Sequence, residues 1–125
     1  AAAGDRLVVL GGAGGGTLVE EYRRGARGTM PFASQSADFV SVWIALENGD
    51  EDTAQDIIET RILPVSRLGF QGRDLFYHVH KGLLHRGRVF RSPKVRSPTA
   101  RPDDITQAEM DRLIDRISGQ AKQAG

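Results

Sequence analysis

Leu7-Val8-Val9-Leu10-Gly11-Gly12-Ala13-Gly14-Gly15-Gly16-Thr17-Leu18-Val19-Glu20-Glu21-Tyr22 is the stretch on which the fold of this chain turns. Arg6 to Leu10 is a short, nearly continuous apolar run, the pattern of a strand covered on both faces. The helix formers of Thr17 to Arg24 follow it through a turn made almost wholly of glycine, and Gly25 is placed as a left-handed cap. Without Cβ atoms, the five glycines between Gly11 and Gly16 let backbone amides approach a ligand at the carboxyl end of a strand, where α/β folds bind. The same glycines also fit a flexible turn with close backbone packing. Gly28-Thr29-Met30-Pro31-Phe32 then reads as a second strand, with Pro31 near its end because proline cannot donate to a ladder. Strand, helix, strand is a βαβ unit, and its two strands are expected to be parallel.

Everything downstream reads as helical. From Ser36, the positions Phe39, Val40, Trp43, Ile44 and Glu47 share a helical face, and Val42 and Leu46 widen it, which predicts a helix buried over much of its girth. Asn48-Gly49-Asp50 ends that helix and starts the next. There Ala54, Ile57, Ile58, Arg61, Ile62, Val65 and Leu68 form one stripe, with Pro64 expected to remove a hydrogen bond and kink the helix near Thr60. A further helix spans about Arg73 to Arg86, with Leu75, Phe76, Val79 and Leu83 inward and Gly87 as its cap. Ser92 to Asp103, broken by Pro93, Pro98 and Pro102, suits neither regular element. In the last helix Thr106 and Glu109 have capping-box spacing, with Ile105 and Met110 as the hydrophobic staple. Met110, Leu113, Ile114 and Ile117 make its buried face, Asp111, Arg112, Asp115 and Arg116 its wet one, and fraying is expected after Ser118.

Composition narrows the function classes. The 125 residues are one domain's worth of chain, 39% apolar and 26% charged, close to globular averages. Seventeen Lys and Arg against 16 Asp and Glu leave a formal charge of +1, so no global field draws nucleic acid or a membrane surface. The absence of cysteine excludes disulfides, thiolate zinc sites and cysteine nucleophiles and is compatible with a cytoplasmic location. No run approaches a membrane span or reads as a signal peptide, which predicts a soluble chain. Ala1-Ala2-Ala3-Gly4-Asp5 reads as the end of a helix begun upstream, and hence as a piece of a longer protein.

The familiar motifs fail on inspection. Starting from Gly12 or Gly14, the third glycine of a dinucleotide fingerprint would fall at Thr17 or Val19, and no acidic residue follows at the required strand end. Gly11 and Gly16 have P-loop spacing, but Thr17 stands where the phosphate-binding lysine belongs. His78 and His80 point apart on one helix, and His85 is about two turns from His78, too far to chelate one ion. These read as surface or interface histidines, with Asp74 paired to His78, and no metal or cofactor is expected. Lys81, Lys94 and Lys122 all lie away from a strand's carboxyl end, where a desolvated amine could become a nucleophile. Arg86, Arg88, Arg91, Lys94, Arg96 and Arg101 form a basic segment with Phe90 as its lone aromatic. It lacks a stacking platform for nucleic acid and reads as a solvated or oligomer-facing loop.

The order of these elements carries a resemblance. A strand, Gly11-Gly12-x-Gly14-Gly15, the helix Leu18-Val19-Glu20-Glu21 with Arg23-Arg24-Gly25-Ala26, Gly28-Thr29-Met30, a helix closing on Asn48-Gly49-Asp50 and one holding Ile62-Leu63-Pro64 follow one another. Together they resemble the carboxyl-terminal part of the dihydrodipicolinate synthase / N-acetylneuraminate lyase family of Schiff-base aldolases, from Asp5 to Ile117. The resemblance implies an α/β fold: the last two parallel strands of a (β/α)8 TIM barrel with their helices (residues 1–48), followed by a helical carboxyl-terminal extension (residues 49–125). It implies a homotetrameric lyase whose strand lysine forms a Schiff base with pyruvate or a related 2-oxo acid, then makes or breaks a carbon–carbon bond or eliminates water. That lysine, the proton-shuttling tyrosine and the carboxylate-binding threonine pair belong to earlier strands and are not in this sequence. Carried over are substrate-binding positions only: Gly12 through its backbone, Met30 through side chain and main chain, Gly11 by adjacency and Phe32 at the mouth. Ala13-Gly14-Gly15 stands where dihydrodipicolinate synthases usually carry polar and acidic residues, which favours a less specific lyase or hydratase-aldolase.

Two parallel strands cannot close a barrel, so the segment is expected to associate or be supplemented, and to be inactive alone. Two other readings remain open: a helical oligomerisation module without a small ligand, and an anion-binding domain using the amides of Gly12 to Gly16 at a helix N-terminus.

Overall fold

Caps and turn residues set the order of elements. In the computed structural model, which describes residues 7–123 and side chains through Gly119, the glycine run contains a short 3₁₀ turn, Ala13–Gly15, and leads into α1 (Leu18–Arg23). Gly25 at φ 93° closes α1 in the left-handed region that glycine occupies without strain. A second 3₁₀ turn, Ala33–Gln35, opens α2 (Ser36–Glu47). Gly49 at φ 76° turns the chain out of α2, and the Asp50 carboxylate accepts the Thr53 amide at 3.0 Å to start α3 (Glu51–Ile57). A π-helical turn, Ile58–Ile62, then α4 (Leu63–Gly69), α5 (Leu75–Arg86) and α6 (Asp104–Gln123) complete the series. The π turn spans Thr60, where Pro64, lacking an amide proton, denies its fourth-preceding carbonyl a partner.

The expected α/β class does not hold: the described residues are helical, with no strand, sheet or barrel portion. Gly11 and Thr29 form one isolated parallel bridge, flanked by Gly11 N–H to the Gly28 carbonyl and Arg27 N–H to the Val9 carbonyl, each 2.8 Å. One bridge does not make a ladder, because each of the two segments has hydrogen-bond partners on one side only and a lone pair of short parallel segments is marginal. Leu7, Val8, Val9 and Leu10, expected as a strand covered on both faces, are 52–73% exposed, and Met30 is 67% exposed. Arg6 and the expected helix end at Ala1–Gly4 lie outside the described residues.

The chain divides into two compact units, Ala1–Ile62 and Leu63–Gly125. In the first, Leu18 and Val19 of α1, Phe39, Val42, Ala45 and Leu46 of α2, Ala54 of α3 and Ile58 and Ile62 form one core. Burying side chains of this size stabilises by roughly 1.5–3 kcal/mol each before entropy is counted. Arg61 sits in the apolar stripe because its Nε reaches Asp38 Oδ1 at 2.6 Å, with both side chains largely shielded from water. Val40 and Ile44, expected on the buried face, are 57% and 56% exposed, so α2 buries one side only within this unit.

In the second unit Val65, Leu68, Leu75, Val79, Leu83, Met110, Leu113, Ile114 and Ile117 make the core. Phe76 is half-buried, its ring edge-on to His80 at 4.6 Å. The start of α6 differs from the expected capping box. Asp103 Oδ1 accepts the Thr106 amide at 2.7 Å, so Thr106 lies inside the helix and Ile105, 75% exposed, staples nothing. Asp103-x-x-Thr106 offers an equivalent acceptor three residues earlier, and a carboxylate is the stronger one at a helix N-terminus. Gly87 follows α5 at φ −74°, and the left-handed residue is Arg88 at φ 60°. Helix α6 continues to Gln123, past the point where fraying was expected. Asp74 does not pair with His78; the two converge on Ala100, Asp74 Oδ2 accepting its amide at 3.2 Å and His78 Nε2 meeting its carbonyl at 2.8 Å.

Candidate functional site

The glycine run is a folded loop with a defined backbone. Gly12 is extended, Ala13, Gly14 and Gly15 have φ of 50°, 74° and 77°, and the Gly15 amide donates to the Gly12 carbonyl at 2.8 Å. Glycine is required most strictly at Gly15. Its φ is left-handed, and an added Cβ would stand 2.5 Å from Phe39 Cε1 and 3.0 Å from Thr29 Cγ2. Around Gly12, in contrast, a Cβ would meet nothing within 4 Å, so the loop turns an open side to its surroundings there.

The four positions expected to bind substrate gather around this loop. The parallel bridge from Gly11 to Thr29 sets Gly12 beside Met30, and the Phe32 ring lies under Gly14, 3.6 Å from where a Cβ would be. Gly11 is buried, Gly12 and Phe32 are half-buried, and the Met30 side chain is exposed. Alongside, an open cleft of about 310 Å³ runs between Gly28–Pro31 and α2, walled by Leu18, Phe39, Trp43 and Ile44. Its walls supply shape and apolar contact and carry no titratable side chain.

Glu21 is the residue that sequence reasoning treated only as a helix former. Its carboxylate folds back under the loop, where Oε1 accepts Thr17 Oγ1 at 3.1 Å and Oε2 occupies the space a Cβ on Gly11 would need. Oε2 and Thr29 Oγ1 are both buried without a hydrogen-bond partner among the described residues. The signal was present as Thr17 and Glu21 four apart on one face, but an i, i+4 pair on a helix usually lies at the surface. A carboxylate in that place, a six-residue α1 and a Gly15 amide already bonded to Gly12 all weigh against an anion held by the loop amides. Farther along α1, the Tyr22 hydroxyl donates to Glu47 at 3.1 Å and its ring meets Trp43 edge-on at 5.3 Å. The Glu47 hydrogen bond, then burial and the Glu47 charge, raise the Tyr22 pKa.

No acid–base or nucleophilic group from the sequence's candidates joins this loop. The lysines all follow residue 62; Lys81 Nζ donates to the Lys94 carbonyl at 3.0 Å, and the Lys122 side chain lies outside the described residues. Among the described residues no group of three or more His, Cys, Asp and Glu side chains is placed to hold a metal ion. Nor is any helix among them long and apolar enough to cross a membrane.

No family profile matches the chain, and no curated protein matches it. Its structure superposes on the crystal structure of dihydrodipicolinate synthase from Rhodopseudomonas palustris with a TM-score of 0.77 and 29% sequence identity. The chain is similar to a dihydrodipicolinate synthase. The likeness covers 90% of this chain and 36% of that one, so the chain spans about a third of the synthase's length. At this identity and coverage the similarity to the synthase supports a lyase relationship, and it is consistent with the carboxyl-terminal placement implied by the order of motifs.

Proposed function

We propose that this chain serves as a substrate-binding portion of a lyase that handles pyruvate or a related 2-oxo acid through a lysine Schiff base. The observation that carries the reading is the similarity to dihydrodipicolinate synthase over 90% of this chain but 36% of that protein. In such chemistry a desolvated amine adds to the C2 carbonyl and water leaves; the resulting iminium accepts the electron pair when an adjacent bond breaks, and the enamine so formed donates it when one forms. This chain would supply the wall: the open backbone at Gly12, the Met30 side chain beside it, the Phe32 ring and the closely packed Gly11. Aldol cleavage, aldol condensation and dehydration all need that wall. The amine would come from polypeptide other than this chain, since none of its lysines lies in residues 1–62, the unit that holds the loop. The 125-residue chain is accordingly inactive by itself.

The oligomeric part of the proposal draws on the apolar side chains that the first unit leaves in water. Leu7 to Leu10, Met30, Val40 and Ile44 are each more than half exposed, which suits a unit completed by further protein, in a homo-oligomer or a longer chain. Treatment with pyruvate and borohydride followed by intact-mass analysis tests the catalytic part. No reduced adduct is expected on this chain, and one would form on a lysine elsewhere in the lyase of which it is part. A borohydride-trapped pyruvate adduct on Lys81, Lys94 or Lys122 would overturn the assignment of roles.

A further inference from the structure

The second unit contains a cleft whose walls have a composition of their own. Helices α5 and α6 and the proline segment 92–102 border a space of about 510 Å³, within the range of small-molecule sites. The proline segment has no regular structure, yet it is tied to α5 at several points. Lys81 Nζ donates to the Lys94 carbonyl and His78 Nε2 meets the Ala100 carbonyl at 2.8 Å, while His85 Nδ1 meets the carbonyl of Phe90, two residues before the segment, at 3.0 Å. The Lys94 amide also donates to Ser92 Oγ at 3.1 Å. These bonds hold the third wall in place at little further entropic cost on binding.

The charges along this cleft are unbalanced. Arg86, Lys94 and Arg101 line it against one carboxylate, Asp111, which accepts the Gln107 side-chain amide at 3.1 Å. Arg86 is neutralised by Asp115, and no described carboxylate engages Lys94 or Arg101. Met110 and Ile114, core residues 3% and 4% exposed, also line it. Two cations without a described carboxylate partner, in a cleft that core side chains also line, suit one class of ligand.

We propose that this cleft binds a small organic acid, its anionic group held by Lys94 and Arg101 and its hydrocarbon body resting on Met110 and Ile114. The site is independent of the lyase reading, because every residue in it belongs to Leu63–Gly125 and none to the glycine loop. Charge-assisted hydrogen bonds supply the anchoring, and the apolar lining separates an organic acid from a bare inorganic ion.

Isophthalate titrated calorimetrically into the full chain at low ionic strength is the probe, with inorganic phosphate as its comparison. Saturable one-to-one isophthalate binding is expected. Lys94→Gln and Arg101→Gln should each weaken it about tenfold, the worth of one hydrogen bond to a charged group. Asp111→Asn should tighten it, and phosphate should bind at least about tenfold more weakly for want of an apolar body. Circular dichroism verifies that these surface variants retain their helices. Absence of saturation, equal affinity for phosphate, or wild-type affinity in both Lys94→Gln and Arg101→Gln would overturn the proposal.

Discussion

Replacing Gly15 by alanine tests whether the glycine run is a packed structural element or a slack tether. Two costs arise. The residue sits at φ 77°, where an L side chain costs roughly 1–2 kcal/mol. Its new methyl would also stand 2.5 Å from Phe39 Cε1 and 2.7 Å from Cζ, in a core where Phe39 is 5% exposed, and overpacking of this kind costs about 1–3 kcal/mol. Alanine restricts the unfolded chain more than glycine does, returning about 0.4–1 kcal/mol. The net expectation is a loss of about 3 kcal/mol. Trp43, the chain's one tryptophan, packs against the same core and reports on this unit in urea unfolding. Gly12→Ala is the internal control, since its methyl meets nothing and its φ is −137°; it should change stability by less than about 0.5 kcal/mol. Combining Gly15→Ala with Phe39→Leu should recover part of the loss, because the shorter side chain removes the clash while the backbone strain stays. If Gly15→Ala unfolds at the same urea concentration as the parent, the loop is not packed as described and the reasoning fails.

Three further measurements bear on the two units. Burial of His80 lowers its pKa from 6.5 to about 4, so above pH 6.5 folded and unfolded chains hold the same proton count there, and between 6.5 and 4 the unfolded chain binds a proton that the folded one refuses. Stability of the second unit should therefore fall across that window, by at most about 1.4 kcal/mol per pH step. His80→Leu should flatten that slope in amide exchange of α5 measured from pH 7 to 4. Asp38→Ala removes the shielded carboxylate to which Arg61 Nε donates and should cost about 2 kcal/mol in Trp43-detected unfolding; a change below about 0.5 kcal/mol would refute a structural role for the pair. Asp103→Ala should lower the thermal midpoint of α6 more than Thr106→Ala, the reverse of what the Thr106 capping-box spacing predicts.

What was legible in the sequence was local. The α2 and α3 boundaries follow from Asn48-Gly49-Asp50 because a left-handed glycine and an N-capping carboxylate act within a few residues, and the Met110, Leu113, Ile114, Ile117 face of α6 follows from its period. Spacing alone does not choose between Asp103 and Thr106 as the cap, since both lie three residues before an acceptable partner; the stronger acceptor, the Asp103 carboxylate, takes the Thr106 amide. The strands failed for a related reason. Leu7 to Leu10 has the composition of a covered strand, but coverage and ladder hydrogen bonds must come from neighbours, and the described residues supply one bridge. Val40 and Ile44 fail in the same way: their spacing marks an apolar face without saying what lies against it. Composition records the environment a segment is suited to, which differs from the environment one chain provides.

Glu21 changes the meaning of the glycine run more than any other residue. A run of glycines after an apolar segment suggests backbone opened for a ligand, yet protein already lies against two of these positions: the carboxylate end of Glu21 against Gly11, and the Phe39 ring against Gly15. At Gly12 the side-chain volume is empty, and it is Gly12 that follows the parallel bridge from Gly11 to Thr29, with Met30 next in the other segment. The run thus separates into supports and an open face. Gly11 and Gly15 fix the backbone by close packing, so that Gly12 can remain extended and unobstructed without being loose. Binding to a backbone held in advance avoids the entropy of ordering it. The wall proposed for a small oxo acid would use that property, and a flexible hinge would lack it.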